Sequence, residues 1–127
     1  MIIGLNPSTA DENENDPTIT RCINFAKSWG YGGVCVTNLF AYCATVPSDM
    51  KAFEDPIGTE NDAWLYKLAR GAAIIVAAWG NDGSYLNRSR EILGVLLNLH
   101  CIKINKSGEP AHPLYLKADL KPFPMGA

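Results

Sequence analysis

The stretch Ala73-Ile74-Ile75-Val76-Ala77-Ala78-Trp79 (AIIVAAW) is apolar at every position and is followed by Gly80. An unbroken apolar run of strand length is typical of a parallel sheet covered by helices, because neither face of such a strand meets water. We therefore predict that residues 73–79 form a central strand. The rest of the chain is expected to supply its neighbouring strands and two helical layers.

The segments on both sides of this stretch alternate between strand and helix patterns. Short apolar or β-branched runs predict strands at residues 1–5, 33–38 and 100–104. Helical spacing of apolar residues predicts helices after Asp16, Thr59 and Ser84, with Gly30 and Gly71 ending the first two, and a long loop at residues 39–56. This order implies right-handed crossovers and predicts an α/β fold: a three-layer α/β/α domain with a central four-stranded, mainly parallel sheet.

Length and composition indicate one soluble globular domain over residues 1–127, since 47% of the residues are apolar and 19% are charged. No apolar run is long enough to span a membrane and no signal peptide is visible, so we expect a cytoplasmic protein without membrane contact. A central strand that begins at Met1 has nothing before it. We therefore expect that an N-terminal segment is either missing or mis-assigned.

The cysteines and acids do not form a recognisable metal site. The cysteines lie far apart without a C-x-x-C motif, which predicts buried free thiols (Cys22, Cys35, Cys43 and Cys101). The D-x-N-x-N pattern from Asp11 is similar to the start of a calcium loop, but Asp16 replaces its glycine and Cys22 its glutamate. We predict no resident metal and no cofactor, with weak magnesium binding by a mobile acidic loop as the alternative.

Unusual motifs follow all four predicted strands: GLNPST, NLFAY, WGNDG and HPLYL. The carboxyl ends of parallel strands meet at one edge of a sheet, and ligands bind outside that edge. The sequence therefore predicts a ligand site there. The candidate residues are Asn6, Pro7, Ser8 and Thr9, then Asn38 and Phe40, then Gly80, and finally His112, Pro113, Leu114 and Tyr115.

Three polar residues in these motifs have both a functional and a structural interpretation. Asn6 precedes a proline and fits a simple turn. Asn38 ends an apolar strand, where its amide needs partners that a ligand or a loop could provide. His112 is held extended by Pro113, and its imidazole is suited to donate a hydrogen bond near neutral pH, although a lone loop histidine is usually exposed to solvent.

Together, the four motifs resemble those of the uracil-DNA glycosylase superfamily in order and placement. MIIGLNPS is similar to its first motif, GVCVTNLFAYCAT to its second strand, AIIVAAWG to its third strand and AHPL to the segment with the catalytic histidine. The combination LNPSTA, NDPT, NLFA, AWG and HPLYL is more similar still to a bacterial and phage domain family of uncharacterised function. We identify the chain as a member of that family, with a glycosylase-like fold as the more distant relationship.

The resemblance implies a site for a nucleobase, a nucleotide or nucleic acid. In glycosidic cleavage the base leaves as an anion, so the site needs a positioned water and a donor to the base. By position, Asn6 would hold the water, His112 would donate to the base and Asn38 would read its edge. Phe40 or Phe25 would stack on the base and Leu114 or Leu116 would enter the vacated duplex space.

Two departures from the superfamily pattern weaken the catalytic prediction. Asn6 stands where the most active branch has a carboxylate, and an amide cannot provide general-base catalysis, which contributes roughly 10²–10⁴-fold. The acidic residues 11–16 would oppose a DNA backbone. Weak N-glycosidic hydrolase activity is therefore left open beside two alternatives: a non-catalytic interaction module of a bacterial, phage or mobile-element pathway, and a metal-dependent enzyme for a phosphorylated substrate.

Overall fold

The structure is a computed structural model, and it describes residues 1–7, 16–41, 50–51, 55–58 and 60–125. Within these residues the sheet has five strands: β1 (Ile2–Gly4), β2 (Val36–Asn38), β3 (Val76–Ala77), β4 (His100–Cys101) and β5 (Phe123–Pro124). The strand order is β2-β1-β3-β4-β5, with the first four parallel and β5 antiparallel to β4. The predicted α/β class with a mainly parallel sheet is thus confirmed.

The described residues contain three α-helices: α1 (Pro17–Ser28), α2 (Asn61–Arg70) and α3 (Arg88–Val95). Two 3₁₀ helices, Asn81–Asn87 and Pro113–Tyr115, follow β3 and β4. The N-cap predicted for the first helix is confirmed, because the Asp16 carboxylate accepts a hydrogen bond from the Thr18 N–H at 2.8 Å. Thr59, the predicted cap of the second helix, lies outside the described residues.

Alternate residues of the strands enter two separate cores, one on each face of the sheet. Ile2 and Val76 pack with Cys22 and Phe25 of α1. The opposite face buries Ile3 and Ala77, together with side chains from α2 and α3 (Leu65 and Ile92). This period-two alternation places α1 on one face and α2 with α3 on the other, so the domain has the predicted three layers.

Two predictions about these elements are wrong. The sheet has five strands rather than four, because the proline-rich tail supplies β5 at the sheet edge, where proline is tolerated. The helix expected to begin after Ser84 begins at Arg88, since Leu86 and Asn87 adopt left-handed backbone angles with φ of 54° and 59°. Within the long loop predicted at residues 39–56, the described side chains of Leu39, Phe40 and Met50 are fully buried.

Candidate functional site

The segments that follow β1, β2 and β3 continue side by side at the carboxyl edge of the sheet. The Leu39 N–H donates to the Gly4 carbonyl at 2.9 Å, and the Ala78 N–H donates to the Ile3 carbonyl at 2.9 Å. The segment that carries His112 joins the same edge through Gly80, whose N–H donates to the Pro110 carbonyl at 2.9 Å. Backbone hydrogen bonding therefore brings all four sequence motifs to one edge.

His112 is half-buried at the start of the second 3₁₀ helix. Its Nδ1 accepts a hydrogen bond from the Leu114 N–H at 3.2 Å, so in the neutral imidazole the proton lies on Nε2. Burial lowers the pKa of His112, while the nearby Asp16 carboxylate opposes that shift. His112 is thus an uncharged imidazole with its proton on Nε2 at neutral pH, and it has a further interaction, so the ring is not free of partners.

Gly80 allows the His112 segment to approach the end of β3. Its backbone angles, φ 77° and ψ −174°, belong to a region that only glycine adopts readily. A Cβ built on Gly80 would lie 3.7 Å from the His112 Cβ, which puts the two residues in direct contact. The turn signal in WGNDG therefore has a specific role, since it sets the position of His112.

Asn38 is half-buried and lies against the backbone of β1. A Cβ built on Gly4 would come within 2.9 Å of its Oδ1, so the missing side chain at Gly4 makes room for the Asn38 amide. The Asn61 Nδ2 donates to the carbonyls of Asn38 and Leu39, each at 2.9 Å. The backbone that carries the Asn38 amide is therefore fixed by α2.

Asn6 and Pro7 follow β1, and both are half-buried. The Asn6 Nδ2 donates to the Pro7 carbonyl at 3.2 Å. Asn6 also has a further interaction, so its amide is not free. Ser8 and Thr9 lie outside the described residues.

The aromatic residues predicted to stack on a base lie in the cores. Phe40 has 0% exposed surface and packs against Tyr85 with 5.9 Å between ring centroids. Phe25 is 2% exposed and stacks on Trp29 at 5.3 Å. Neither ring presents a face to a ligand, because each is enclosed by its packing neighbours.

The segment after His112 is only partly accessible. Pro113 is buried and packs into the turn, whereas Leu114 is half-buried. Leu116 is 9% exposed and belongs to the core beneath α1. The side chain of Tyr115 lies outside the described part. Of the two leucines considered as a duplex wedge, Leu114 is therefore the more accessible.

The hairpin that leads into His112 is attached to the sheet by a buried tryptophan. The Trp79 indole N–H donates to Glu109 Oε2 at 2.6 Å, and the Ser89 hydroxyl donates to Glu109 Oε1 at 2.8 Å. Trp79 itself is 1% exposed. The Glu109 carboxylate thus links the hairpin to the end of β3 and to α3, a role that the sequence does not predict because its two partners, Trp79 and Ser89, are distant in sequence.

Arg88 is a second residue that the sequence analysis missed. Its side chain has 0% exposed surface, and its Nε donates to the Leu39 carbonyl at 2.8 Å. Its two terminal nitrogens bind Glu91, at 2.9 Å, and Asp62. The only local signal is the Arg88–Glu91 spacing of three residues on a helix, which is also common on solvated surfaces.

The described ranges contain neither a metal-binding cluster nor a membrane-spanning helix. Among those residues, no cluster of three or more His, Cys, Asp or Glu side chains could hold a metal ion. Likewise, no helix in the part of the chain that the structure describes is long and apolar enough to cross a bilayer. The predicted buried thiols are confirmed for Cys22 and Cys101, whereas Cys35 is exposed and Cys43 lies outside the described part.

A cavity of about 490 Å³ lies at the opposite edge of the sheet, beside residues that precede β2 and β3. Its lining is mainly apolar and includes Ile2, Trp29 and Ile74. None of the residues predicted from the strand-end motifs lines it. The cavity is therefore separate from the candidate site at the carboxyl edge.

The chain belongs to the family described as "Protein of unknown function (DUF1643)", whose model matches residues 1–114. This match confirms the predicted membership in a domain family of unknown function. No curated protein and no solved structure matches the chain. The more distant relationship to the uracil-DNA glycosylase superfamily stays a prediction.

Proposed function

We propose that the carboxyl edge of the sheet binds a nucleobase, either in a nucleotide or in nucleic acid, and that it supports weak N-glycosidic hydrolysis. The observation that carries this proposal is the state of His112. Its Nδ1 is occupied by the Leu114 N–H, and burial keeps the ring neutral. A neutral Nε2–H donor is suited to a base oxygen or nitrogen on which negative charge develops.

The other polar groups of the edge can complete recognition of a flat, polar ligand. Asn38 offers both an acceptor and a donor, which suits the edge of a nucleobase. Its position is constrained by Gly4 on one side and by Asn61 through the backbone on the other. A fixed backbone reduces the conformational entropy that is lost when the Asn38 amide binds a ligand, which favours selectivity.

The proposed reaction is slow because Asn6 stands where a general base would be needed. The C–N glycosidic bond breaks, the base takes the electron pair, and water adds to the sugar carbon. His112 stabilises the departing base, and Asn6 orients the water without taking its proton. Since an amide cannot act as a general base, the proton passes to solvent, and the rate lacks the roughly 10²–10⁴-fold that such a base supplies.

The experiment compares binding and base release by the parent protein with those of His112→Gln. Common nucleosides, their monophosphates and uracil- or mismatch-containing oligonucleotides are titrated calorimetrically, and released base is measured by chromatography. His100→Gln is the matched control, because the second histidine begins β4 and its Nδ1 contacts the Asn98 carbonyl. We expect loss of binding or release only in His112→Gln. If the parent protein neither binds any of these ligands nor releases a base, the proposal is contradicted.

A second candidate function is a non-catalytic interaction module. Apolar side chains on and after α3 are exposed, with Leu93 at 40%, Val95 at 52% and Leu97 at 75%. Clustered exposed apolar residues favour protein contacts. If this candidate is correct, Leu93→Ser with Leu97→Ser lowers self-association or partner binding and leaves nucleotide binding unchanged. Base release above the uncatalysed rate by the parent protein, lost in His112→Gln, argues for the first candidate.

A further inference from the structure

Arg21 lies on the second turn of α1, directly beside the candidate site. Its Nε donates to the carbonyl of Pro113, the residue after His112, at 3.4 Å. The guanidinium carbon lies 5.2 Å from the centre of the Phe25 ring, within cation–π distance. Two contacts therefore hold a partly exposed guanidinium at the edge that carries His112.

The terminal nitrogens of the Arg21 guanidinium differ from those of Arg88 in their hydrogen-bond partners. Arg88 uses both of its terminal nitrogens for carboxylates within the domain. Within the described residues, by contrast, Arg21 contacts no carboxylate at salt-bridge distance, and only its Nε makes a hydrogen bond. A guanidinium with both terminal N–H pairs available matches the geometry of two phosphate oxygens.

The charges around the candidate site make a cation at Arg21 important for binding a phosphate. His112 is neutral, because burial lowers its pKa. The Asp16 carboxylate lies close enough to raise that pKa in part, so the edge already contains a negative charge. A ligand phosphate placed there needs a nearby cation to offset the repulsion. Arg21 is the basic side chain that the described structure places against the His112–Pro113 segment.

We propose that Arg21 binds a phosphate group of the ligand whose base contacts His112. The site then selects a phosphorylated nucleoside, as a nucleotide or within a nucleic-acid strand, over a free base or nucleoside. This inference rests on the proposed function and narrows its ligand class. It gives Arg21 a specificity-determining role, and it gives the Pro113 carbonyl and the Phe25 ring the role of holding its guanidinium in place.

The test measures the increment in affinity that a phosphate adds. The common nucleosides, their 5′-monophosphates and a mixed-sequence single-stranded oligonucleotide are titrated against the parent protein, Arg21→Gln and Lys27→Gln. Lys27 is the control because it is an exposed cation in the last turn of the same helix. We expect the parent protein to bind a monophosphate or the oligonucleotide at least about tenfold more tightly than the matching nucleoside, as charge-assisted hydrogen bonds allow.

Arg21→Gln is expected to lose this increment and to keep its nucleoside affinity, whereas Lys27→Gln keeps both. A larger increment for the monophosphate identifies a nucleotide as the ligand, and a larger one for the oligonucleotide identifies a nucleic-acid strand. Equal affinity of the parent protein for nucleoside and phosphorylated forms overturns the inference while the proposed function stands. Failure to bind any of these probes overturns both.

Arg21→Lys is a second variant that tests the same contact if Arg21→Gln fails to fold. It keeps the positive charge but removes the planar fork, so we expect the phosphate increment to fall several-fold while the helix is retained. Thermal unfolding of each variant verifies the fold before titration. An Arg21→Lys increment equal to that of the parent protein shows that a point charge suffices and contradicts the proposed guanidinium contact.

Discussion

Arg88 and Asp62 form an ion pair in which the two partners have very different exposure: the arginine side chain is 0% exposed and the aspartate side chain 37%. Glu91, the second carboxylate on Arg88, is 51% exposed. The cation thus depends on the protein for its partners, while both anions can be hydrated. Removing the cation and removing the anions should therefore have unequal costs.

We predict that Arg88→Met destabilises the domain by about 2 kcal/mol, because the Leu39 carbonyl loses the charged one of its two donors, Asn61 being the other, while no unpaired charge is left buried. The double change Asp62→Ala with Glu91→Ala leaves a buried cation whose remaining partner is the uncharged Leu39 carbonyl, and it should cost about 3–5 kcal/mol. Urea denaturation measures both values. Arg90→Met, an exposed neighbour on the same helix, is the control and should stay within about 0.5 kcal/mol. A double variant more stable than Arg88→Met contradicts this account.

Gly83 and Gly94 allow a matched test of the packing around Trp79. A Cβ on Gly83 would lie 2.0 Å from the Trp79 ring, whereas a Cβ on Gly94 meets nothing within 4 Å. We predict that Gly83→Ala costs about 1–3 kcal/mol through overpacking and disturbs the Glu109 contact of the indole. Gly94→Ala should stabilise α3 by about 0.5–1 kcal/mol.

Thermal unfolding followed by tryptophan fluorescence distinguishes these two glycine changes. The expected result is a lower midpoint and an altered emission maximum for Gly83→Ala, with a raised midpoint and unchanged emission for Gly94→Ala. Equal midpoints in the two variants would show that the indole does not pack on Gly83.

The lowered pKa of His112 predicts a specific dependence of stability on pH. Burial places the folded pKa below the unfolded value of about 6.5, so the unfolded chain takes up a proton first as the pH falls. The contribution of His112 to stability is complete above about pH 6.5 and is lost as the pH falls toward the folded pKa. Denaturant unfolding from pH 8 to pH 5 should show this decline.

His112→Gln removes the titrating group, so the decline in stability below pH 6.5 should be smaller in this variant. His100→Gln keeps His112 and is expected to follow the parent protein. The same pH profile in the parent protein and His112→Gln would indicate that His112 does not titrate differently on folding.

Thiol reactivity should separate the described cysteines into two classes. Burial raises the pKa of both Cys22 and Cys101 to about 11, so little thiolate forms at pH 8. Cys35 is exposed. In a Cys43→Ser background, we predict that a disulfide reagent modifies one thiol quickly and the other two only after denaturant is added. The fast phase should vanish when Cys35 is also changed to serine.

The sequence predicts those features of the fold that depend on local patterns. The apolar run at 73–79 indicates the buried parallel sheet, and Asp16 with Pro17 defines the start of α1. It does not predict β5, since prolines in Phe123–Pro124 argue against a strand until the strand is known to lie at an edge. It also misplaces the start of α3, because left-handed angles at Leu86 and Asn87 leave no periodic signal.

The candidate site is predictable only in part, for a related reason. Parallel topology brings the four strand-end motifs to one edge, and that follows from the strand order. The contacts that fix them come from residues far along the chain: Asn61 reaches Asn38, and Arg88 reaches Leu39. A charged residue in a helix pattern is ordinarily assigned to the surface, so the burial of Arg88 cannot be inferred from its neighbours. The burial of Phe40 in the core likewise cannot be inferred from its neighbours in the sequence.

The antiparallel strand β5 determines how the sheet can meet other chains. It forms one lateral boundary, is only two residues long and includes Pro124, which has no N–H to donate. The other boundary, β2, is three residues long. Among the described residues, neither boundary offers a long row of unpaired backbone groups, so an incoming extended segment would gain few hydrogen bonds there. For the part of the chain that the structure describes, we therefore expect contacts with other chains to use helix surfaces and loops rather than strand addition.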